Sequence, residues 1–172
     1  ENTIVMFTTD HGEMAGSHKL IAKTTFYEES SKIPVIIRYP KEIKQSITNS
    51  DAMVSTIDIM PTLLDLAGVE IPKGIDGRSF KKQILESEVS TNEFDIVFSQ
   101  NQFGRMVRYD QFKYVRSVVY GITYEILYDI DNDPNESKNL IDDPKFKNQL
   151  IKGRKLLDDW LLNEGTELIA ER

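Results

Sequence analysis

Residues 3–12 read TIVMFTTDHG, an apolar run from Ile4 to Phe7 that stops at polar, turn-forming residues. An uninterrupted run of this kind is typical of a strand covered on both faces, as in a parallel sheet. Such strands need neighbours and covering helices, yet the only other run of this type is residues 33–39, IPVIIRY. We therefore expect an α/β fold in which the rest of the sheet precedes Glu1 in a longer chain.

The segments that follow predict helices and then an antiparallel meander. Residues 54–68 predict a helix with Asp58 as a cap and Gly68 at its exit, and residues 80–85 predict a shorter helix. After the polar stretch 87–94, the pattern changes to short β-type runs separated by turn residues. The remaining predicted elements are four strands and an amphipathic helix with Trp160 in its core-facing stripe: residues 95–100, 105–109, 113–119, 124–129 and 144–163.

Composition excludes several classes of function. The net charge is -7, and the 21 Lys and Arg residues are scattered, so neither a nucleic acid nor an anionic membrane is expected as a partner. The absence of cysteine excludes disulfides, thiolate metal sites and a cysteine nucleophile within these residues. Residues 1–10 lack the features of a signal peptide, but a signal could lie upstream. The compartment stays open, and a periplasmic or secreted location is compatible with the sequence.

The residues best suited to chemistry follow the first apolar run. In open α/β sheets, sites form beyond the carboxyl ends of the strands, where Asp10 and His11 stand. A carboxylate beside an imidazole can share one divalent cation, and Gly12 lets the backbone bend close. Lys23 could return to the same mouth as an anion-binding point charge. The structural alternative is that Asp10 caps a turn and His11 is packed or solvated.

Several segments, in order, resemble the sulfatase family. Residues 3–40, TIVMFTTDHGEMAGSHKLIAKTTFYEESSKIPVIIRYP, resemble its pattern of a strand, T-[ST]-D-[HN]-G, a lysine and F-Y-E-x-x-x-x-[IV]-P. Later segments resemble the family's next helix, its D-G-x-S turn and its C-terminal meander: residues 55–68 (STIDIMPTLLDLAG), 74–80 (GIDGRSF), 105–115 (RMVRYDQFKYV) and 126–140 (ILYDIDNDPNESKNL). The chain is thus similar to the C-terminal portion of arylsulfatase-like members of the alkaline phosphatase superfamily.

The resemblance implies a role for each residue of the polar cluster. Asp10 and His11 match two calcium ligands of the family, and Lys23 matches the lysine that binds the sulfate oxygens. His18 lies in the loop between them, where a histidine is frequent in related sequences, and we expect it in the catalytic site. The metal is expected to be calcium, with magnesium or manganese left open because imidazole is a soft ligand for calcium. The implied substrate is a small-molecule or carbohydrate sulfate ester.

The sequence departs from the family by an absence. Sulfatases also need two N-terminal aspartates and a Cys or Ser, converted to formylglycine, within C/S-x-P-S/A-R. No such motif occurs in these residues. We therefore expect residues 1–86 to be the C-terminal part of the catalytic α/β domain and residues 94–172 to form an antiparallel-sheet subdomain with the terminal helix. The expected partner is the N-terminal part of the same catalytic domain, and the fragment itself is expected to be inactive.

Two other functions stay open. Phosphonate monoester hydrolases and related phosphodiesterases share the Asp-His and lysine pattern, so the full protein could act on those esters instead. Alternatively, the chain is a non-catalytic fragment or degenerate paralogue that acts as a structural module.

Other polar residues have both a functional and a structural interpretation. Asp129, Asp131 and Asp133 mimic the start of an EF-hand loop, but Pro134 replaces the required glycine, which favours a plain turn. Two carboxylates are either general acids or anchors, and three basic residues either reach a sulfated sugar or follow strand alternation. These residues are Glu28, Glu29, Arg105, Arg108 and Lys113.

Overall fold

The computed structural model describes residues 2–43, 48, 52–85 and 95–164. Its elements, in chain order, are β1 (Val5–Phe7), α1 (Glu28–Ser31), β2 (Ile36–Arg38), α2 (Ile59–Leu66), α3 (Lys81–Leu85), β3 (Ile96–Asn101), β4 (Gly104–Tyr109), β5 (Phe112–Val119), β6 (Ile122–Asp129) and α4 (Lys147–Glu164). None of these described helices is long and apolar enough to cross a membrane. The α/β class with a four-stranded antiparallel sheet and a C-terminal helix is confirmed.

The chain divides into two compact units. The first comprises Glu1–Gly12 and Lys32–Asp95, and the second comprises Glu13–Ser31 and Ile96–Arg172. Residues 13–31 therefore group with the four-stranded sheet, although they precede it by many residues in the sequence. The predicted boundary stretch, residues 87–94, lies outside the described residues, and the predicted domain limits stay a prediction.

In the first unit, β1 and β2 pair antiparallel, with Met6 opposite Ile37. The prediction that these runs are parallel-type strands covered on both faces was therefore wrong for their pairing. Within each strand the central residue is partly buried and its neighbours are exposed, Phe7 to 62%. An apolar run predicts that its side chains are buried, but it does not determine whether the strand pairs in parallel or antiparallel.

A buried carboxylate organises the helical part of the first unit. Asp58 is 2% exposed and accepts hydrogen bonds from the N–H groups of Ser55 and Arg78, each at 2.8 Å. Asp58 stands at the predicted N-cap position of α2, but its side chain makes no capping hydrogen bond to that helix. Its carboxylate instead completes a capping box whose N-cap is Ser55, at the 3₁₀ turn Thr56–Asp58 that precedes α2. Its hydrogen bond to Arg78 holds the neighbouring turn at Gly77 against the 3₁₀ turn. The two segments approach so closely that a Cβ added at Gly77 would lie 2.0 Å from the Ile57 carbonyl oxygen.

In the second unit, the four strands pair in sequence order, all antiparallel, as the meander predicts. Helix α4 packs on this sheet and buries Leu157 and Leu161 against a core that includes Val107, Tyr114 and Leu127. The Trp160 ring stacks on Phe98 at the edge of this core, with ring centroids 4.9 Å apart. The predicted core-facing stripe of the C-terminal helix is therefore confirmed.

Gly153 lets α4 approach the sheet closely. An added Cβ would lie 2.7 Å from Tyr109 Oη and 2.9 Å from Tyr114 Cβ. Although alanine in a free helix is more stable than glycine, Gly153→Ala is expected to lower the free energy of unfolding by about 1–3 kcal/mol because it overpacks this contact. Urea denaturation checks the sign, with Ile151→Ala on the exposed face of α4 as the control. A raised midpoint for Gly153→Ala would contradict the close approach.

Candidate active site

Asp10 and His11 form a close pair just beyond β1. The His11 N–H donates to Asp10 Oδ1 at 3.0 Å, and His11 Nε2 lies 3.4 Å from Asp10 Oδ2. His11 Nδ1 lies 2.8 Å from the carbonyl oxygen of Gly12, which can only accept, so this hydrogen bond requires a proton on Nδ1. The Asp10 side chain is 81% exposed, which leaves its oxygens accessible from solution.

This geometry fits two ligands of one divalent cation. Two donors at right angles, each about 2.4 Å from a calcium ion, lie about 3.4 Å apart. Nε2 and Oδ2 have that separation, and metal-binding histidines commonly donate their other N–H to a carbonyl, as His11 does to Gly12. Desolvation acts to raise the pKa of Asp10, but the charge of His11 and hydrogen bonds from Thr9 and the His11 N–H lower it overall.

The pair does not make a complete coordination sphere. Within the described ranges, no group of three or more His, Asp or Glu side chains gathers in a way that could hold a metal ion. Asp10 and His11 supply two donors, whereas calcium takes six to eight.

The other two predicted site residues, His18 and Lys23, belong to the second unit, in the loop between Glu13 and α1. Glu13 closes this loop, since its carboxylate accepts hydrogen bonds from the N–H groups of Ala15 and Ala22. Positive φ angles in residues other than glycine cost free energy, and they cluster at functional sites. Five such residues occur here: Ala15, His18, Lys19, Ala22 and Thr24.

The structure places His18 against an aromatic ring and leaves Lys23 exposed. The His18 ring stacks on Tyr27 with centroids 3.7 Å apart and an angle of 12° between the planes. The Tyr27 hydroxyl in turn lies 3.4 Å from that of Tyr128 on β6. The main chain just after Lys23 is held by Asn101, whose Nδ2 donates to the Thr24 carbonyl at 3.0 Å.

The remaining polar candidates serve the structure. Glu28 pairs with Lys113 at 2.5 Å, and Glu29 accepts a hydrogen bond from Ser17, so both are anchors. Arg105 donates to backbone carbonyls at the end of β3 and the start of β4, and Arg108 donates to carbonyls in the turn after β4 and at the start of β5. The contacts of the three basic residues thus support the structural interpretation rather than a sugar-binding one.

The acidic stretch after β6 is a turn, as Pro134 predicts. The Asp129 carboxylate accepts from the side chains of Gln111 and Asn132, while Asp133 accepts from Ser137 and the Lys138 N–H. Both carboxylates therefore fold the local chain.

Sequence reasoning missed one cluster. Lys113 and Glu136 are both buried, and Lys113 Nζ lies 2.8 Å from Glu136 Oε1. Burial raises the pKa of the Glu136 carboxyl, and Lys113 acts against this rise. The available signal was a lysine at an inward position between Phe112 and Tyr114, because a charge inside an apolar run implies a buried partner.

Comparisons with known proteins agree with this architecture. Residues 16–160 match the family described as N-sulphoglucosamine sulphohydrolase, C-terminal. The chain is 35% identical to the Delta 4,5-hexuronate-2-O-sulfatase of Bacteroides thetaiotaomicron over 93% of this chain and 35% of that protein. The chain thus spans about a third of the length of such curated relatives.

Solved structures show the same likeness. A 2-O GAG sulfatase superposes with a TM-score of 0.82 and 34% identity, over 98% of this chain and 39% of that one. The phosphonate monoester hydrolase of Agrobacterium radiobacter gives a TM-score of 0.69 and 26% identity, over 91% of this chain and 34% of that one. The family match and the sulfatase relatives together decide the assignment. The chain belongs to the sulfatase family, within the alkaline phosphatase superfamily, and corresponds to its C-terminal portion.

Proposed function

We propose that the full protein is a divalent-metal-dependent hydrolase of sulfate esters. The observation that carries this proposal is the Asp10–His11 pair, whose Oδ2 and Nε2 are spaced as adjacent ligands of one cation. A calcium ion bound there would orient a nucleophile and offset negative charge on the sulfate. We propose that the nucleophile is a formylglycine from the N-terminal part of the catalytic domain.

The residues of the second unit have proposed roles toward the substrate. Lys23 supplies a compact positive charge that contacts a sulfate oxygen and stabilises negative charge as the ester bond breaks. His18, whose ring plane is fixed by the stack on Tyr27, supplies a polar contact at the same loop. We propose a carbohydrate sulfate ester as the substrate class, because a relative 35% identical to this chain is named a hexuronate 2-O-sulfatase.

A second candidate function is hydrolysis of phosphonate or phosphate diesters. It is supported by the likeness to a phosphonate monoester hydrolase at a TM-score of 0.69. Paired assays of the full-length protein with an aryl sulfate, an aryl phosphonate and an aryl phosphodiester separate the two. A higher kcat/KM for the aryl sulfate, lost on chelation and restored by calcium, is expected. A preference for either phosphorus ester would reverse the assignment.

The chain by itself is expected to show no sulfatase turnover. No serine in it precedes x-Pro-x-Arg and it has no cysteine, so these residues cannot supply a formylglycine in its usual motif. Aryl-sulfate hydrolysis by the purified 172-residue chain is the measurement. Turnover by this chain that persists in Lys23→Ala and in Asp10→Ala would contradict the proposal that the nucleophile comes from the N-terminal part of the catalytic domain.

Calcium binding by the chain alone is expected to be weak. Two protein donors leave at least four positions of the calcium ion to water. Calorimetry should therefore detect no stoichiometric site of micromolar affinity or better. A tight site that disappears in Asp10→Ala and persists in Asp159→Ala, an exposed carboxylate on α4, would mean that the chain completes the site itself.

A further inference from the structure

The loop that bears Lys23 is hydrogen-bonded to residues of the four-stranded sheet and of the turn after it. Asn101 Nδ2 donates to the Thr24 carbonyl at 3.0 Å, and Lys113 Nζ donates to the Phe26 carbonyl at 2.8 Å. Glu136 Oε2 accepts the Glu28 N–H at 2.6 Å. The three contacts therefore fix main-chain groups one, three and five residues after Lys23.

Lys113 lies at the centre of these contacts. Its side chain is 1% exposed, and its ammonium contacts the Phe26 carbonyl at 2.8 Å, Glu28 at 2.5 Å and Glu136 at 2.8 Å. The Phe26 carbonyl accepts a hydrogen bond from this ammonium, and the two carboxylates form ion pairs with it. The attraction between buried charges mostly offsets the cost of desolvating them, and such clusters are weak sources of net stability. This cluster is therefore better suited to fixing the position of the loop than to raising the net stability of the fold.

The backbone of the loop that bears Lys23 is strained, so we expect it to change conformation if these contacts are lost. Thr24, directly after Lys23, has a φ of 83°, which is strained for a β-branched residue. His18 also has a positive φ, and its ring is held by Tyr27, which lies between the two anchored residues Phe26 and Glu28. Strained residues persist only where their surroundings over-determine them.

We infer that Lys113, together with Glu28 and Glu136, is a positioning group that holds Lys23 in place for the sulfate. This inference rests on the proposed role of Lys23. Lys113 itself is buried, so it acts through the Phe26 main chain rather than on the substrate.

A double-mutant cycle in the full-length protein tests the inference. Lys113→Met is expected to lower kcat/KM for an aryl sulfate by about 10²-fold, mainly through kcat, because a small displacement of a catalytic contact has that effect. In a Lys23→Ala background the same substitution should change kcat/KM by less than about threefold, since the contact that it positions is already gone. Should Lys113→Met fail to fold, the variant Lys113→Met/Glu28→Gln/Glu136→Gln, which leaves no unpaired charge in this cluster, takes its place.

The control is Arg154→Met, which breaks the pair between α4 and Glu125 on β6 in the same unit. It should leave kcat/KM within about threefold whatever it does to the melting temperature. In the 172-residue chain, Lys113→Met should speed amide hydrogen exchange in residues 22–29, and Arg154→Met should not.

The outcomes separate the two proposals. Additive effects of Lys23→Ala and Lys113→Met, or unchanged exchange in residues 22–29, would overturn the positioning role and leave that of Lys23 intact. A silent Lys23→Ala would instead remove Lys23 from the proposed function.

Discussion

In the full-length protein, Lys23→Ala is expected to lower kcat/KM for an aryl sulfate by about 10²–10³, the cost of losing one preorganised contact to developing charge. Lys23 is exposed in the loop before α1, so its removal takes little from the core and the melting temperature should hardly change. Lys23→Arg should restore activity only in part, because the planar guanidinium cannot replace a compact ammonium at one oxygen.

Lys19 provides a matched control for this experiment. It is an exposed lysine of the same loop, four residues before Lys23, and no role is proposed for it. Lys19→Ala should therefore leave kcat/KM and the melting temperature close to those of the wild type. Equal losses for Lys19→Ala and Lys23→Ala would point to a general electrostatic effect. A collapsed melting temperature for Lys23→Ala would show a structural role for that lysine.

In the 172-residue chain, Lys113→Met is expected to lower the free energy of unfolding by about 3–5 kcal/mol, because it leaves the carboxylates of Glu28 and Glu136 without their buried partner. This is a large share of the stability of a typical domain. Urea denaturation measures it. The charge-neutral variant Lys113→Met/Glu28→Gln/Glu136→Gln should recover most of the loss, since no uncompensated charge of the cluster stays buried.

The ion pair of Lys155 is a control that separates the effect of burial on stability from the effect of the distance between the charges. Lys155 and Asp159 on α4 also lie 2.5 Å apart, but their side chains are 72% and 52% exposed. Lys155→Met should cost no more than about 0.5 kcal/mol, as is usual for exposed helical pairs. Similar losses for Lys113→Met and Lys155→Met would mean that the Lys113 cluster is solvated.

The sequence by itself determined the elements whose signals are local. Strand alternation and turn residues such as Tyr120-Gly121 predicted the four-stranded meander, and the observed strand ends differ from the predicted ones by a few residues at most. The Asp10–His11 pair was likewise visible, because neighbouring residues after a strand need no distant contact to come together.

Only the tertiary structure decided the contacts between distant segments. Lys113 and Phe26 are 87 residues apart in sequence, and Glu28 and Glu136 are 108 apart. No periodicity links such pairs, so sequence reasoning left Lys113 open between a sugar contact and a strand residue. The direction in which β1 and β2 pair was hidden for the same reason. An apolar or charged side chain specifies that it needs a partner, whereas the fold of the whole chain selects which partner it finds.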